Sequence, residues 1–261
     1  MVSLRKLVKE SYHYTKNGML LKGDCLEVMP KIPDKSVDMI LCDLPYGTTA
    51  CKWDTIIPFE PLWKQYKRII KNDGAIVLTA TQPFTSALVM SNPEMFKYSW
   101  IWDKVKPSGF QVAKYRPMMR QEDVLVFGKG KIKYYPIMTK RDVVKRSKVY
   151  KSSDSNPLKY NDGETREYTE KYPQSILEFS NAVQKGKLHP TQKPTELFEY
   201  LIKTYTQESE IILDNTAGVC TTAVAAENLN RKWICIELEE EYCQKSVERL
   251  KTHLEKQSIR E

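Results

Sequence analysis

Four consecutive residues, Asp43-Leu44-Pro45-Tyr46, combine a carboxylate, a stiff turn and an aromatic ring. They follow directly on a mainly apolar run at 37–42, which is typical of a buried strand. In open α/β sheets, ligands bind in the crevice beyond the carboxyl ends of the strands. We therefore expect these residues to present three different chemical groups to one crevice, an arrangement suited to holding a nucleotide base for chemistry.

Further acids end other apolar runs. Asp214 closes the run 211–214, Glu237 follows 233–236, and Asp24 follows a short β-like approach at 12–21. Acids of this kind are costly inside a core, so we expect them at the carboxyl edge of the same sheet. Glu237 occupies the position of acids that hydrogen-bond ribose hydroxyls.

The segment 214–222 joins a strand to a helix through small residues, which lets a ligand approach the backbone and the helix N-terminus. A dinucleotide dehydrogenase would also use such a turn. The G-x-G-x-x-G spacing of that class is absent from this chain.

Strands and helices alternate along most of the chain. Strands are predicted at 37–42, 75–79, 98–102, 123–127, 211–214 and 233–236, and helices at 59–70, 83–90, 197–205, 222–226 and 243–254, with Asn72-Asp73-Gly74 ending the first helix. Between the strands at 98–102 and 123–127, we expect a loop rich in Lys, Pro and Gly. The alternation predicts an α/β fold with a mostly parallel, doubly wound sheet.

The alternation stops at 128–186, which is polar, basic and rich in Tyr, Ser and Asn. Its part 129–151 carries nine Lys or Arg against Asp142 alone, so its net charge of +8 equals that of the whole chain. We interpret 128–186 as an insertion; the alternative is a long surface loop. The charge favours a polyanionic partner.

Composition excludes several classes of protein. The chain has 41% hydrophobic residues but no apolar run near the ~20 residues of a membrane span, so we expect a cytoplasmic protein without membrane contact. Its six cysteines form no C-x-x-C pair, and its three histidines lie near no cysteine or carboxylate cluster at ligand spacing. No metal site is expected.

Asp43-Leu44-Pro45-Tyr46 resembles the D-P-P-Y motif of amino-group DNA methyltransferases, which use S-adenosylmethionine. This motif comes first, the basic region second, and HPTQKP at 189–194 with the 214–222 loop last, an order similar to the permuted beta class of that family. The resemblance covers nearly all of the chain outside 128–186. It implies a Rossmann-like S-adenosylmethionine-dependent methyltransferase fold with helices on both faces of the sheet. The catalytic domain would be 1–127 with 187–261, and 128–186 would be an inserted target-recognition region.

The resemblance also implies roles for individual residues. The Asp43 carboxylate and the Leu44 carbonyl would accept hydrogen bonds from the target amino group, Pro45 would stiffen the turn, and Tyr46 would stack on a flipped base. The residues implied to bind the cofactor are Asp24, Cys25, Asp43, Thr191, Lys193, Asp214, Thr216, Ala217, Gly218 and Glu237. Those expected to contact DNA are Lys131, Lys133, Lys140, Arg141, Lys145, Arg146 and Lys148.

The implied activity is N6-adenine methylation of double-stranded DNA. N4-cytosine methylation is the nearest alternative, although Ser is the commoner residue there in place of Asp43. C5-cytosine methylation needs a nucleophilic Cys, usually after Pro, and no cysteine here follows a Pro. A non-catalytic DNA-binding subunit is the alternative from another class.

Three residues depart from the family pattern: Leu44 stands in place of Pro, Thr216 in place of the frequent Phe, and Cys220 in place of the usual Gly. We expect these changes to loosen the turn or tighten the cofactor loop. A homodimer and a cognate restriction endonuclease are further partners that the resemblance admits.

Overall fold

The computed structural model describes residues 4–48, 54–146, 165–181 and 192–259. The chain forms two compact units, one of Met1–Tyr135 with Ser175–Glu261 and one of Pro136–Gln174. The smaller unit lies inside the predicted insertion at 128–186. Assigning catalysis to one unit and target recognition to the other stays a prediction.

The larger unit is built on a nine-stranded sheet with the strand order β1-β2-β11-β10-β3-β4-β6-β5-β9. In chain order its elements are α1 (Leu4–Glu10), β1 (His13–Tyr14), β2 (Gly18–Lys22), α2 (Cys25–Val28), β3 (Val37–Asp43), α3 (Phe59–Ile69), β4 (Ile70–Ala80), α4 (Phe84–Ser91), β5 (Phe96–Ser108) and β6 (Met119–Phe127), then β9 (Ile176–Glu178), α5 (Thr195–Tyr205), β10 (Ile211–Asp214), α6 (Thr221–Asn228), β11 (Lys232–Glu237) and α7 (Glu240–Ser258). Short 3-10 helices lie at Met29–Lys31 and Phe110–Val112.

The centre of the sheet is parallel. Strands β2, β11, β10, β3 and β4 all run in one direction, whereas β6 is antiparallel to both β4 and β5. The predicted mostly parallel α/β sheet is therefore confirmed. Because the parallel strands end at one edge, Asp43, Asp214 and Glu237 come together there.

Helices cover both faces of this sheet. Along β3, alternate side chains enter opposite cores: Ile40 and Cys42 on one face, Met39 and Leu41 on the other. The first core receives α3 through Leu62, Trp63 and Tyr66, at the helical spacing that predicted this element. The second core receives α5, α6 and α7 through residues that include Leu197, Ala223 and Leu250.

The end of α3 differs from the sequence prediction. Asn72-Asp73-Gly74, expected to stop the helix, lies inside β4, which starts at Ile70 and pairs with Val37 of β3. A Cβ atom at Gly74 would lie 2.7 Å from the Asp38 carbonyl oxygen. Glycine at this position permits the close approach of the two strands, and the helix ends one residue before pairing begins.

The loop expected between 102 and 123 is also different. Strand β5 continues to Ser108 and β6 begins at Met119, so the two strands form a long hairpin. The residues after Trp102 lack the apolar pattern that predicts a buried strand, because this part of the hairpin is largely exposed.

The smaller unit contains an antiparallel pair, β7 (Thr139–Arg146) and β8 (Glu167–Lys171).

Among the described residues, none of the helices has the length and apolar character needed to span a membrane.

Candidate active site

A cavity of about 640 Å³ opens at the carboxyl ends of the parallel strands. Its lining comes from the four segments expected there, after β2, β3, β10 and β11, and also from β5, the start of β6 and the residues before α5. The lining includes Asp24, Cys25, Asp43, Leu44, Pro45, Tyr46, Trp102, Lys104, Ser108, Glu122, Lys193, Asp214, Asn215, Thr216, Ala217, Gly218 and Glu237.

The Asp43 carboxylate is held by three side chains. Its Oδ1 accepts hydrogen bonds from the Tyr46 hydroxyl at 2.7 Å and from the Thr79 hydroxyl at 2.5 Å. Its Oδ2 accepts one from Lys193 Nζ at 2.8 Å. A carboxylate offers about four lone-pair positions, and these described residues use three of them. The fourth, on Oδ2, remains for an incoming donor.

Lys193 is buried between two carboxylates. Its side chain is 7% exposed, and Nζ lies 2.8 Å from Asp43 Oδ2 and 3.2 Å from Glu122 Oε2. Burial alone would lower the pKa of Lys193, but the charges of Asp43 and Glu122 raise the pKa above its ordinary value. Lys104 Nζ lies 3.3 Å from the other Glu122 oxygen. Positive and negative groups therefore alternate from Lys104 to Asp43.

Tyr46 packs at the edge of the first core. Its ring centroid lies 5.3 Å from that of Phe84, and Lys193 Nζ lies 5.5 Å from it. Burial, with the nearby charges of Asp43 and Glu122, holds the pKa of Tyr46 well above its ordinary value. The hydroxyl therefore stays protonated and donates to Asp43. Stacking of Tyr46 on a base stays a prediction.

The loop after Tyr46 is fixed by Asp54. The backbone N–H groups of Gly47 and Thr48 donate to its two carboxylate oxygens at 2.8 and 2.9 Å. Gly47 has a φ of +67°, a value that glycine adopts without strain. Asp54 therefore holds the end of the turn that carries Asp43 and Tyr46.

Glu237 ends β11 at the other side of the cavity. Its Oε2 accepts from the Gly218 backbone N–H at 2.7 Å and its Oε1 from the Glu239 backbone N–H at 2.8 Å. Burial raises the pKa of Glu237. A carboxylate offers about four lone-pair positions, so Glu237 can still accept from ribose hydroxyls. Asp24 caps α2 by accepting from the Leu26 N–H at 2.7 Å.

The loop after β10 is ordered by Asp214 and Thr216. Asp214 accepts from the Thr222 hydroxyl at 2.5 Å and from the Thr216 N–H at 3.1 Å. The Thr216 hydroxyl in turn donates to the Asp43 carbonyl oxygen at 3.1 Å. Thr216, which departs from the family's Phe, thus ties the loop after β10 to the end of β3.

Burial raises the pKa of Asp214 to about 7, although two hydrogen bonds oppose this shift. A raised carboxyl pKa stabilises the folded protein most at low pH, and this stability is lost as pH rises through the folded pKa. Asp214→Asn removes the ionisation but can still accept from the Thr216 N–H and donate to the Thr222 hydroxyl.

We expect the wild-type free energy of unfolding to fall by about 2 kcal/mol more than that of Asp214→Asn between about pH 5.5 and pH 8. Urea unfolding of both proteins at the two pH values measures this difference. Parallel pH dependences of the two proteins would contradict the buried ionisation of Asp214.

Asn215 was not predicted as a site residue. Its Oδ1 accepts from the Tyr66 hydroxyl and from Cys42 Sγ at 2.9 Å. Its Nδ2 is buried without a hydrogen-bond partner among the described residues, on a side chain that lines the cavity. Such a donor is costly unless a ligand satisfies it. The spacing of the loop residues gave no signal for this role.

Cys220 occupies a strained position. It precedes α6 with φ 55° and ψ 45°, in the left-handed region that favours glycine. Glycine, which the family resemblance implies at this position, adopts this conformation without strain. The Cys220 side chain is fully buried, so the αL conformation is held by the surrounding core.

Other predicted residues lie elsewhere. Lys133 is at the opposite end of β3 from Asp43, with Nζ 3.2 Å from Asp38 Oδ1 and also paired with Glu210. An ammonium group held by two carboxylates is a weak phosphate ligand, so the DNA contact predicted for Lys133 has no support from this position. Lys131 is exposed.

The remaining predicted DNA contacts that the structure describes lie on β7: Lys140, Arg141, Lys145 and Arg146. Arg146 Nε lies 2.8 Å from Glu167 Oε1, and Lys140 is the cross-strand partner of Glu170. Lys148 and Thr191 lie outside the described residues.

The sequence matches the family model described as DNA methylase, of the N6/N4 methyltransferases, over residues 37–248. The chain belongs to this family, and the predicted family membership is confirmed. It is a DNA methyltransferase, and S-adenosylmethionine, predicted as the cofactor, is the methyl donor that this membership indicates.

Individual proteins of known name are similar to this chain at low sequence identity. The type II methyltransferase M.HpaI of Haemophilus parainfluenzae is 27% identical over 88% of this chain and 73% of its own length. The DNA adenine methyltransferase YhdJ of Escherichia coli K12 is also 27% identical, over 88% of this chain and 82% of its own length.

Two solved structures show the same fold. The PvuII DNA methyltransferase, described as cytosine-N4-specific, has a TM-score of 0.66 and 20% identity, covering 92% of this chain and 88% of its own. The SAM complex of M1.HpyAVI has a TM-score of 0.61 and 24% identity, covering 89% of this chain and 98% of its own. The predicted S-adenosylmethionine-dependent methyltransferase fold is confirmed.

Proposed function

We propose that this DNA methyltransferase transfers the methyl group of S-adenosylmethionine to the exocyclic N6 of an adenine flipped out of double-stranded DNA. The observation that carries this proposal is the Asp43 carboxylate, which lines the cavity and keeps one acceptor position on Oδ2 while three side chains hold the rest.

The residues around the cavity fit the cofactor. Glu237 presents a carboxylate for ribose hydroxyls at one side, and Asn215 presents a buried donor without a partner among the described residues. The left-handed Gly218 allows a ligand to approach the loop backbone. When bound, S-adenosylmethionine supplies an electrophilic methyl group on a positively charged sulfur.

The amino group of adenine is a poor nucleophile because its lone pair is delocalised into the ring. Hydrogen bonds from both of its hydrogens favour a tetrahedral nitrogen with a localised lone pair. Asp43 Oδ2 supplies one acceptor, and the Leu44 carbonyl supplies the other. Among the described residues, no backbone hydrogen bond ends on the Leu44 carbonyl oxygen. After transfer, Asp43 can accept the proton that the nitrogen loses.

Lys193 sets the orientation of this acceptor. Its bond to Oδ2, with those of Tyr46 and Thr79 to Oδ1, fixes the carboxylate plane before the substrate arrives. Preorganised groups of this kind contribute most of the acceleration in many enzymes, because they need no reorientation during the reaction.

N4-cytosine methylation is the second candidate, since the two target amino groups have similar chemistry. The PvuII neighbour supports this reading and the YhdJ relative supports adenine. Asp43 favours adenine, because Ser is commoner at this position in N4-cytosine enzymes.

The test is to incubate the protein with S-adenosylmethionine and mixed-sequence DNA, then identify methylated nucleosides by mass spectrometry. We expect N6-methyladenine. N4-methylcytosine alone would replace adenine with the second candidate, and sequencing the product DNA would supply the recognition site.

A non-catalytic DNA-binding subunit would behave differently. Titration calorimetry with S-adenosylmethionine separates the two, since a chain that binds DNA but no cofactor would not be the enzyme proposed here. A homodimer and a cognate restriction endonuclease stay predictions from the family.

A further inference from the structure

The hairpin formed by the end of β5 and the start of β6, residues 104–120, is here called the rim hairpin. It contains five Lys or Arg residues and no Asp or Glu. The strands pair as far as Ser108 opposite Met119, and the ten residues between them form the tip. The rim hairpin lies outside the 128–186 segment where the sequence predicted DNA contacts.

The tip has an ordered backbone. Gly109 adopts φ +91° and leads into the 3-10 helix Phe110–Val112. The Val112 N–H donates to the Gly109 carbonyl at 3.1 Å, and the Arg116 N–H donates to the Val112 carbonyl at 3.1 Å. Side chains on this tip therefore have defined directions.

Two aromatic rings project from the tip. Phe110 is 80% exposed and Tyr115 is 88% exposed, whereas most aromatic side chains of the larger unit are in its cores. Val105, Met118 and Met119 are exposed close by. Single exposed apolar residues are common, but a cluster within one basic hairpin indicates a binding surface.

The rim hairpin begins at the wall of the active site. Lys104 and Ser108 both line the cavity that holds Asp43. Lys104 also pairs with Glu122, which shares Lys193 with Asp43. A macromolecule that places one group in the cavity therefore lies close to the tip.

We propose that the rim hairpin docks on duplex DNA and inserts Phe110 or Tyr115 into the base stack at the gap left by the flipped base. Lys106, Lys114 and Arg116, all exposed, contact the flanking phosphates. This inference rests on the proposed function, because it needs a flipped base. Duplex DNA is the partner that matches both features of the rim hairpin. Its phosphates attract a segment that has basic residues and no Asp or Glu, and its base stack can take up an apolar side chain.

The described strands of the smaller unit match DNA less well. The two strands β7 and β8 together carry a net charge of only +2, because Asp142 lies on β7, and Glu167 and Glu170 lie opposite its basic residues. The rim hairpin carries +5 over 17 residues. Lys104 and Arg120 are paired with Glu122 and Asp103. Among the described residues no ion pair involves the other three basic residues, Lys106, Lys114 and Arg116, so their charges are available to phosphates.

The insertion of Phe110 or Tyr115 into the base stack is tested with the double variant Phe110→Ala/Tyr115→Ala. Tyr14→Ala, which removes an exposed ring on β1, is the matched control. Both duplexes used here carry the site mapped with wild-type protein. Base flipping is followed with 2-aminopurine in place of the target base, and methyl transfer is followed with the natural target base, because 2-aminopurine has no N6 amino group to methylate. We expect the variant to lose the fluorescence increase of base flipping and to methylate paired DNA at least ~10-fold more slowly. Transfer to the same site opposite a mismatch should stay within ~3-fold of wild type, because an unpaired base costs least to extrude.

The phosphate contacts are tested with Lys106→Ala/Lys114→Ala/Arg116→Ala, against Lys16→Ala/Lys64→Ala/Lys67→Ala, three exposed lysines away from the hairpin. Duplex affinity is measured by fluorescence anisotropy at several salt concentrations. The slope of log affinity against log salt should flatten by roughly 0.9 for each phosphate that the variant no longer neutralises, up to about 3 units. The control should keep the wild-type slope.

The outcomes separate this inference from the proposed function. Absence of methyl transfer by the wild-type protein to any DNA would refute the function, while the salt slopes would still test the docking surface. Wild-type turnover together with an unchanged flipping signal in the aromatic variant would refute the insertion of Phe110 or Tyr115. Equal salt slopes for the hairpin variant and wild type would refute the phosphate contacts.

Discussion

Replacing Asp43 by alanine is expected to lower methyl transfer at saturating cofactor by at least ~100-fold, the range typical for loss of a catalytic base. The reason is that Asp43 lines the cavity and its Oδ2 keeps an acceptor position for the target amino group, and alanine removes the partner of Lys193 and of the Tyr46 hydroxyl. Single-turnover assays on mapped duplex DNA measure the effect. Duplex binding should stay largely intact.

The variant Asp43→Asn removes the negative charge of this side chain but keeps its shape. The amide would turn its oxygen toward Lys193, because an NH₂ group there would meet an ammonium donor, and its NH₂ toward the hydroxyls of Tyr46 and Thr79. One acceptor would thus remain in the cavity without the negative charge. We expect Asp43→Asn to be nearly as slow as Asp43→Ala, since the uncharged amide cannot take the proton.

Asp34→Ala is the control for Asp43, because Asp34 is an acid whose side chain is 71% exposed and which lies before β3, away from the cavity. It should turn over like wild type. Far-ultraviolet circular dichroism and urea unfolding establish that each variant is folded. Turnover of folded Asp43→Ala within ~10-fold of wild type would remove Asp43 from the catalytic step.

The strand ends were the part of the site that could be predicted. Asp43, Asp214 and Glu237 each close a run of buried residues, and parallel strands end at one edge, so their convergence follows from local pattern and sheet direction. The amphipathic spacing of α3 likewise follows from sequence, because its buried residues repeat with the helical period.

Glu122 could not be found in this way. Strand β6 runs antiparallel to β4, so its beginning lies at the edge where the parallel strands end. The sequence pattern showed the buried part of β6 but not its direction or its neighbours in the sheet. Glu122, one residue before that pattern, therefore looked like a loop residue. Thr79 was missed for a related reason, because its pairing opposite Asp43 depends on the register of β3 and β4.

The structure adds contacts to Lys193 that the sequence did not indicate. The family resemblance implied that Lys193 binds the cofactor, which stays a prediction. The structure places its ammonium between Asp43 and Glu122, at 2.8 and 3.2 Å. Motif position indicated that Lys193 lies in the site, but the carboxylates around it come from β3 and β6, which are distant in sequence.

Lys193→Met is expected to lower the free energy of unfolding by about 3–5 kcal/mol, the usual cost of removing one partner from a buried ion pair. Methionine keeps most of the apolar volume, but it leaves Asp43 without a cation and Glu122 paired with Lys104 alone. Urea unfolding at neutral pH measures the loss. Lys245→Met, which breaks an ion pair with the exposed Glu241, is a comparison at a less buried position.

Glu122→Gln should restore part of this stability in the double variant Glu122→Gln/Lys193→Met. With Glu122 neutral, the repulsion between the two carboxylates is removed, and Asp43, which stays charged, is the more exposed of the two, at 23% against 13%. The double-mutant cycle should therefore show a coupling energy of roughly 0.5–3 kcal/mol. Strict additivity of the two losses would mean that Lys193 does not bridge the carboxylates.

Kinetics then distinguish the two roles open to Lys193, with assays run where every variant is fully folded. A lysine that positions Asp43 predicts a lower kcat in Lys193→Met, with little change in the KM for S-adenosylmethionine, because the interaction affects the transition state. A lysine that binds the cofactor predicts a raised KM with kcat nearly unchanged. The hydrogen bond from Lys193 Nζ to Asp43 Oδ2 favours the first result. It occupies one of the two lone-pair positions on Oδ2, so the substrate amino group can donate only to the other.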